Sequence, residues 1–265
     1  MNLSEVPPRA TRTARIGVLV VAYNAANTLA RTIQRIPPAL MDRLEEVFIF
    51  DDHSTDNTYE RMREHLDREP IRKVTLFRNP KNLRYGGNQK RGYRYAIERG
   101  LDYVVLLHGD GQYKPEVMEQ LLEPCERGEA DMVLGSRMMP GGQPLKGGMP
   151  LYKFVGNKIL TGLENKILGM NLSEFHSGYR VYSCAALKQI PFDLCSDDWH
   201  FDTEILIQFL ARGLRIAERS IPTYYGDEIC YVNGMSYAYH CLESAVAYRL
   251  HQWNWRKVPK FDLSR

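Results

Sequence analysis

The chemistry-bearing residues of this 265-residue chain fall into a few short clusters. Asp51 and Asp52 follow the strand-like segment 46–50. Paired carboxylates at a strand end can accept hydrogen bonds from a nucleobase ring N–H or a ribose hydroxyl. They could equally open a turn that caps the next helix, although Ser54 and Asp56 can do that alone. A second cluster, His108-Gly109-Asp110-Gly111-Gln112, follows the apolar run 103–107. Its glycines let the backbone approach a ligand closely, and Asp110 offers a hard oxygen to Mg²⁺ or Mn²⁺. Such a cation would neutralise a pyrophosphate leaving group. The plain alternative is a tight turn in which Asp110 serves only the backbone.

Other nucleotide chemistries fit worse. Dinucleotide binding needs G-x-G-x-x-G after the first strand, where this chain has Tyr23-Asn24-Ala25-Ala26-Asn27, and no G-x-x-x-x-G-K-[ST] phosphate loop occurs. Hydride transfer and ATP hydrolysis lose ground accordingly.

The clusters must be held by a regular scaffold, and the hydrophobic pattern supplies one. The β-branched run 16–22 reads as a strand buried on both faces. Leu29, Ile33 and Ile36 then recur at helical spacing until Pro37 and Pro38 stop the pattern. Strands at 46–50, 74–77, 103–107 and 132–135 alternate with helices from Ser54 (Tyr59, Met62 and Leu66 on one face), at 88–99 and at 115–126. This alternation predicts a doubly wound α/β sheet, with ligands at the carboxyl ends of its strands.

After Gly135 the rhythm breaks. The Gly/Pro-rich segment 138–150 is long enough to be a mobile loop over the site. In the helix-period stretch that follows, Leu151, Phe154, Val155, Leu160, Leu163 and Ile167 alternate with Lys153, Lys158 and Lys166. That face could lie on a membrane surface, but a core-facing helix is the preferred reading. A last helix is expected from Ser236 to about Trp255.

Composition bounds the rest. With 44% hydrophobic and 25% charged residues the chain is that of a globular protein, and no apolar run is long enough to span a membrane. A net charge of +3 does not point to nucleic acid. Cys125, Cys184, Cys195, Cys230 and Cys241 form no C-x-x-C pair, so reduced structural thiols are expected rather than disulfides or zinc. Residues 1–15 lack a signal-peptide core and read as a flexible leader, which gives a cytoplasmic expectation.

Five motifs in order, Val20-Val21-Ala22-Tyr23-Asn24, Phe50-Asp51-Asp52-His53-Ser54-Thr55-Asp56, Gly109-Asp110-Gly111-Gln112, Gly135-Ser136-Arg137 and Ser177-Gly178-Tyr179-Arg180, resemble family 2 glycosyltransferases of GT-A fold. The chain looks most like the polyprenyl-phosphate (dolichol-phosphate) sugar transferase branch. The resemblance implies a mixed, mostly parallel sheet with helices on both faces and a C-terminal helical acceptor region. It divides residues 16–230 into a nucleotide-sugar half, 16–137, and an acceptor half, 138–230, followed by a helix and tail at 231–265. It implies that Ala22, Tyr23, Asn24, Asp51 and Asp52 hold the base and ribose of a UDP- or GDP-sugar, and that Asn82, Gly86, Gly87 and Gly109 approach the donor. Asp110 and Gln112 match two members of a metal-binding D-x-D-x-Q pattern.

Its first Asp is His108 here, leaving open a Mn²⁺ preference, a weaker site resting on Asp110, a hydrogen bond to donor, or a turn-filling histidine. Arg137 and Arg180 match arginines that hold an acceptor phosphate; surface ion pairs are the alternative. Glu174 or Asp202 would be the base if the acceptor is a hydroxyl. The implied activity is inverting sugar transfer, first to a lipid phosphate at a membrane surface. A soluble or polymeric hydroxyl acceptor, a donor-binding regulator without turnover and a sugar nucleotidyltransferase are the rivals. Oligomeric state is not legible.

Overall fold

A computed structural model describes residues 13–225 and 233–263. Most of the expected leader, Cys230 and the expected boundary at 230/231 lie outside the described residues. Seven strands are described: β1 (Ile16–Ala22), β2 (Glu46–Asp51), β3 (Val74–Arg78), β4 (Tyr103–His108), β5 (Met132–Ser136), β6 (Arg180–Ser183) and β7 (Ile216–Ser220). They form one sheet in the order β3-β2-β1-β4-β6-β5-β7, with β6 antiparallel to both neighbours and every other pairing parallel. The mixed, mostly parallel sheet expected from the sequence is therefore present.

Side-chain alternation along β1 explains the layering. Leu19 packs on one face with Tyr93, Leu106 and Phe201. Val18 and Val20 pack on the other with Ile33, Met62 and Leu121. The first face is covered by α4 (Arg84–Glu98), α8 (Phe201–Ala211) and α9 (Gly234–Gln252), and the second by α1 (Leu29–Gln34), α3 (Thr58–Arg68) and α5 (Met118–Glu126). The proline pair acts twice: α1 ends before it, and Pro38 opens α2 (Pro38–Arg43).

Several boundaries differ from the sequence reading. β2 runs one residue further, through Asp51, and β4 runs through His108. α4 begins at Arg84 rather than Asn88, because Gly86 and Gly87 are helical and pack instead of looping. Residues 115–117 form a 3₁₀ turn before α5. The segment 138–150 is tied down: the Thr223 N–H donates to the Gly142 carbonyl and the Tyr225 N–H to that of Gly147.

The lysine-flanked stretch is α6 (Leu151–Leu168), and only part of it faces the core. Leu160, Thr161, Glu164 and Leu168 are buried, while Leu151, Tyr152 and Ile159 are 65%, 73% and 60% exposed. The core-facing expectation is thus corrected. α6 turns Leu160, Thr161, Glu164 and Leu168 inward and leaves a second, apolar stripe exposed; Met235 and Tyr239 of α9, the helix packed on α6, are exposed as well.

Close packing of α4 on β1 depends on Gly92, where a Cβ would lie 2.3 Å from a methyl of Leu19. Gly92→Ala should therefore destabilise by about 1–3 kcal/mol through overpacking. Gly162→Ala, in open space on α6, should instead stabilise by up to about 1 kcal/mol. Urea unfolding of both variants checks this; equal effects would contradict the packing described.

Candidate active site

β1 connects toward β2 on one side, whereas β4 connects toward β5 on the other, so a crevice opens between their carboxyl ends. It widens into a cleft of about 1720 Å³. Register fixes what flanks it: Ala22 pairs with Asp51, and Val21 with both Phe50 and His108.

The tails of β1 and β2 are knitted together. The Asn24 side-chain oxygen accepts from the Thr55 N–H at 2.9 Å and the Asp56 N–H at 3.3 Å, and Asn24 itself sits at φ 51°. Ala22, Tyr23, Asn24 and Asp52 line the cleft. One Asp52 oxygen accepts from the Asn79 amide at 2.7 Å and the Leu83 N–H at 2.8 Å. Burial raises the Asp52 pKa, and these hydrogen bonds only partly oppose the shift. Asn82 lines the cleft too, its side-chain oxygen accepting from the Arg84 N–H.

The turn after β4 is held by backbone contacts. The Gly109 N–H donates to Val21, and its carbonyl accepts from the Thr28 hydroxyl at 2.8 Å. A Cβ on Gly109 would meet Leu29 at 2.9 Å, and Gly111 adopts φ 81°, so both positions need glycine. Asp110 accepts from the Gln112 N–H, and its carboxylate is 41% exposed to the cleft. His108 Nδ1 lies 4.0 Å from Asp110 Oδ2.

A hydrogen-bonded chain sets the state of His108. Tyr85 donates its hydroxyl proton to Asp202 Oδ2 at 2.7 Å, and its oxygen lies 3.3 Å from His108 Nε2. With that proton committed, the Tyr85 oxygen accepts, so Nε2 carries hydrogen and Nδ1 keeps its lone pair toward Asp110. Burial lowers the His108 pKa against the opposing charges of Asp110 and Asp202, which favours the neutral ring. Gly178 permits this approach, since a Cβ there would lie 2.6 Å from the imidazole. The donor set of His108 Nδ1, an Asp110 carboxylate and Gln112 fits a divalent cation, and the imidazole favours Mn²⁺ over Mg²⁺.

Burial corrects five placements. Asp51 is a strand residue; its carboxylate accepts from the Ser54 hydroxyl and N–H and faces Arg78 at 3.7 Å, away from the cleft. Gly86 and Gly87 pack against the segment 196–201, where a Cβ on Gly86 would meet the Ser196 carbonyl at 2.5 Å. Arg180 is fully buried and donates to the carbonyls of Ser177, Asp202 and Phe175, so it reaches no acceptor. Neither a phosphate ligand nor a surface ion pair describes it. Glu174 is buried and saturated by the Arg137 N–H at 2.7 Å, the Arg137 guanidinium and the Asn157 amide at 2.8 Å. Burial would raise its pKa, but the Arg137 charge and these hydrogen bonds outweigh it, so the carboxyl titrates below its ordinary range. A carboxylate so held is a poor base. Arg137 does line the cleft, with Nη1 3.2 Å from the Tyr225 hydroxyl.

The cleft also gathers Lys153 of the lysine-flanked stretch, and Tyr85, Tyr113, Trp199, Arg31 and Lys114, which were not singled out as site residues from sequence. Tyr85 stacks on Trp199 at 4.5 Å. The available signal for Tyr85 was an aromatic beside the Gly86-Gly87 pair; Arg31 and Lys114 look like ordinary solvated charges.

Glu174→Gln tests the structural assignment. It leaves the Arg137 guanidinium buried without its counter-charge, a cost of about 3–5 kcal/mol. Because the folded-state pKa is depressed, the Glu174 contribution is full above the ordinary carboxylate range and lost as pH falls through the depressed value. Thermal melts should show a lowered Tm at neutral pH and a flatter acid limb in the variant. An unchanged Tm with collapsed turnover would instead make Glu174 a base.

A family model described as glycosyl transferase family 2 matches residues 17–191. The undecaprenyl-phosphate mannosyltransferase of Micrococcus luteus is 30% identical over 205 residues, covering 77% of this chain and 81% of that relative. The UDP-N-acetylglucosamine–dolichyl-phosphate N-acetylglucosaminyltransferase of Methanococcus voltae is 29% identical over 222 residues, covering 80% and 86%. Glucosyl-3-phosphoglycerate synthase of Mycobacterium tuberculosis, solved with Mn²⁺, UDP and phosphoglyceric acid, superposes with a TM-score of 0.65 at 17% identity, covering 89% of this chain and 78% of that one. The sheet order, the crevice beside β1 and these matches agree: the chain belongs to glycosyl transferase family 2 and has the GT-A fold.

Proposed function

We propose that this glycosyltransferase moves a sugar, with inversion, from a UDP- or GDP-sugar to a polyprenyl phosphate at a membrane surface. The observation that carries the reading is continuity between the cleft and the exposed apolar stripe. Tyr152 and Lys153 of α6 line the cleft, while Leu151, Val155, Ile159 and Leu163 of the same helix face outward. A lipid could lay its chain on that stripe with its phosphate at the cleft mouth, near Lys153 and Arg137. The named activities of the relatives from Micrococcus luteus and Methanococcus voltae support this acceptor class. The contact proposed here is peripheral, through the exposed stripe of α6; among the described residues, no helix is long and apolar enough to cross a membrane.

Residues 16–137 then serve the donor and later ones the acceptor. Asp52, with the Tyr23 and Asn24 backbone, offers acceptors and donors to the base and ribose. His108, Asp110 and Gln112 would hold the cation, which when bound offsets charge on the departing diphosphate. Arg31 and Lys114 line the cleft beside that turn and add positive potential. A phosphate oxygen is already anionic, so it attacks the anomeric carbon without a strong base. This agrees with Glu174 being saturated and Asp202 being bonded to Tyr85.

Asp110→Ala should abolish the Mn²⁺-dependent part of thermal stabilisation by UDP or GDP and cut kcat by on the order of 10²–10³-fold. An unchanged thermal shift would refute the assigned role. Ile159→Glu should weaken vesicle binding and turnover on a long-chain polyprenyl phosphate in vesicles, sparing a short water-soluble analogue. Equal loss on both acceptors would remove the membrane-facing role of α6, and transfer only to sugar hydroxyls would overturn the acceptor.

A further inference from the structure

Behind the acceptor side of the cleft, three residues from three separate segments converge. Glu164 of α6, His176 of the segment before β6 and Cys241 of α9 bring an oxygen, a nitrogen and a sulfur to within 4.8 Å of one another. Glu164 and Cys241 are fully buried. Glu164 Oε2 and His176 Nε2 face each other at 3.1 Å, yet neither makes a directed hydrogen bond. Buried polar atoms in this condition need a proton or a cation between them. The surroundings hold the three donors in place. His176 Nδ1 lies 3.1 Å from the Tyr237 hydroxyl, and the His176 carbonyl accepts from Arg137. The Thr203 hydroxyl sits 3.4 Å from Glu164 Oε1 and 3.3 Å from Cys241 Sγ.

We propose that Glu164, His176 and Cys241 form a second metal site, selective for Zn²⁺ and separate from the cation position at Asp110. A proton shared by Glu164 and His176 would satisfy those two while Cys241 Sγ rests on the Thr203 hydroxyl, whereas one divalent ion binds all three. Thiolate, imidazole and carboxylate together make a borderline-soft set that suits zinc, in contrast to the oxygen-led set at Asp110 and Gln112. Zinc bonds of about 2.0–2.3 Å place tetrahedral ligands about 3.5 Å apart, so the cluster must close by about 1 Å, within reach of a small rotation at Cys241. His176 and Tyr237 line the cleft, but Glu164 Oε2 and His176 Nε2 are shut from it, so the fourth ligand would be a water enclosed with the ion. The ion would tie α6 to α9 and brace the segment whose carbonyl receives Arg137. The inference does not rest on the proposed acceptor.

The test uses the full chain, stripped with a chelator and titrated with Co²⁺ and separately with Zn²⁺. One equivalent of Co²⁺ should give a thiolate-to-cobalt charge-transfer band and tetrahedral visible absorption. One equivalent of Zn²⁺ should raise Tm by at least about 3 °C. The band should vanish in Cys241→Ser and persist in Asp110→Ala, which separates this site from the catalytic reading. If Cys241→Ser does not fold, His176→Gln decides: at least tenfold weaker Co²⁺ binding supports the site, and unchanged binding overturns it. Absence of the band in the wild type, or a band indifferent to Cys241, also overturns it.

Discussion

Two parallel strands that sit side by side but connect in opposite directions leave their carboxyl ends uncovered, and the active cleft depends on that gap between β1 and β4. Register then does the positioning. Val21 is the Cα partner of His108, and Ala22 is that of Asp51, so the turns after β2 and β4 emerge on either side of one strand end. Gly109 lets the β4 turn lie against Ala22 and Leu29. Asp52 and Asp110 thus reach a common cleft without long flexible loops.

Buried charge organises the second half of the cleft. Arg180 spends its guanidinium on three carbonyls and approaches Asp202 at 3.8 Å. Arg137 is locked by Glu174. Burial opposes ionisation of both arginines, and the facing carboxylates more than restore it. Such pairs contribute little net stability compared with apolar packing, but removing one partner is costly. Their structural return is a fixed geometry: Asp202 orients Tyr85, Tyr85 orients His108, and His108 faces Asp110.

The first five strands and the turn after β4 were legible because their signals are local, whereas β6 and β7 were not foreseen. Arg180–Ser183 and Ile216–Ser220 are short, carry arginines, glutamate and serines, and owe their place to pairing with β4 and β5. Apolar runs at 16–22 and 103–107 have few alternatives to buried strands, and glycines flanking Asp110 mark a turn wherever they fall. Arg180 and Glu174 were not legible. A guanidinium after Ser-Gly-Tyr reads as a phosphate ligand until carbonyls from 175, 177 and 202 are seen around it, and those contacts are tertiary. Asp51 turned on a single residue of strand length, which flips a side chain from the cleft to the interior. The outward stripe of α6 was visible as periodicity, but which face would be covered depends on where α9 docks.

The turns after β1, β2 and β4 are therefore pinned by short-range backbone contacts, while the far side of the cleft is pinned by ion pairs and by helices that also present an apolar surface. Both halves meet at the turn 108–112. A crystal structure of the complex with Mn²⁺ and UDP or GDP tests that most directly. The anomalous peak should lie within about 2.6 Å of an Asp110 oxygen, with His108 Nδ1 in its coordination sphere and the diphosphate bound to the same ion. A diphosphate seated away from this turn, or an ion held without Asp110, would contradict it.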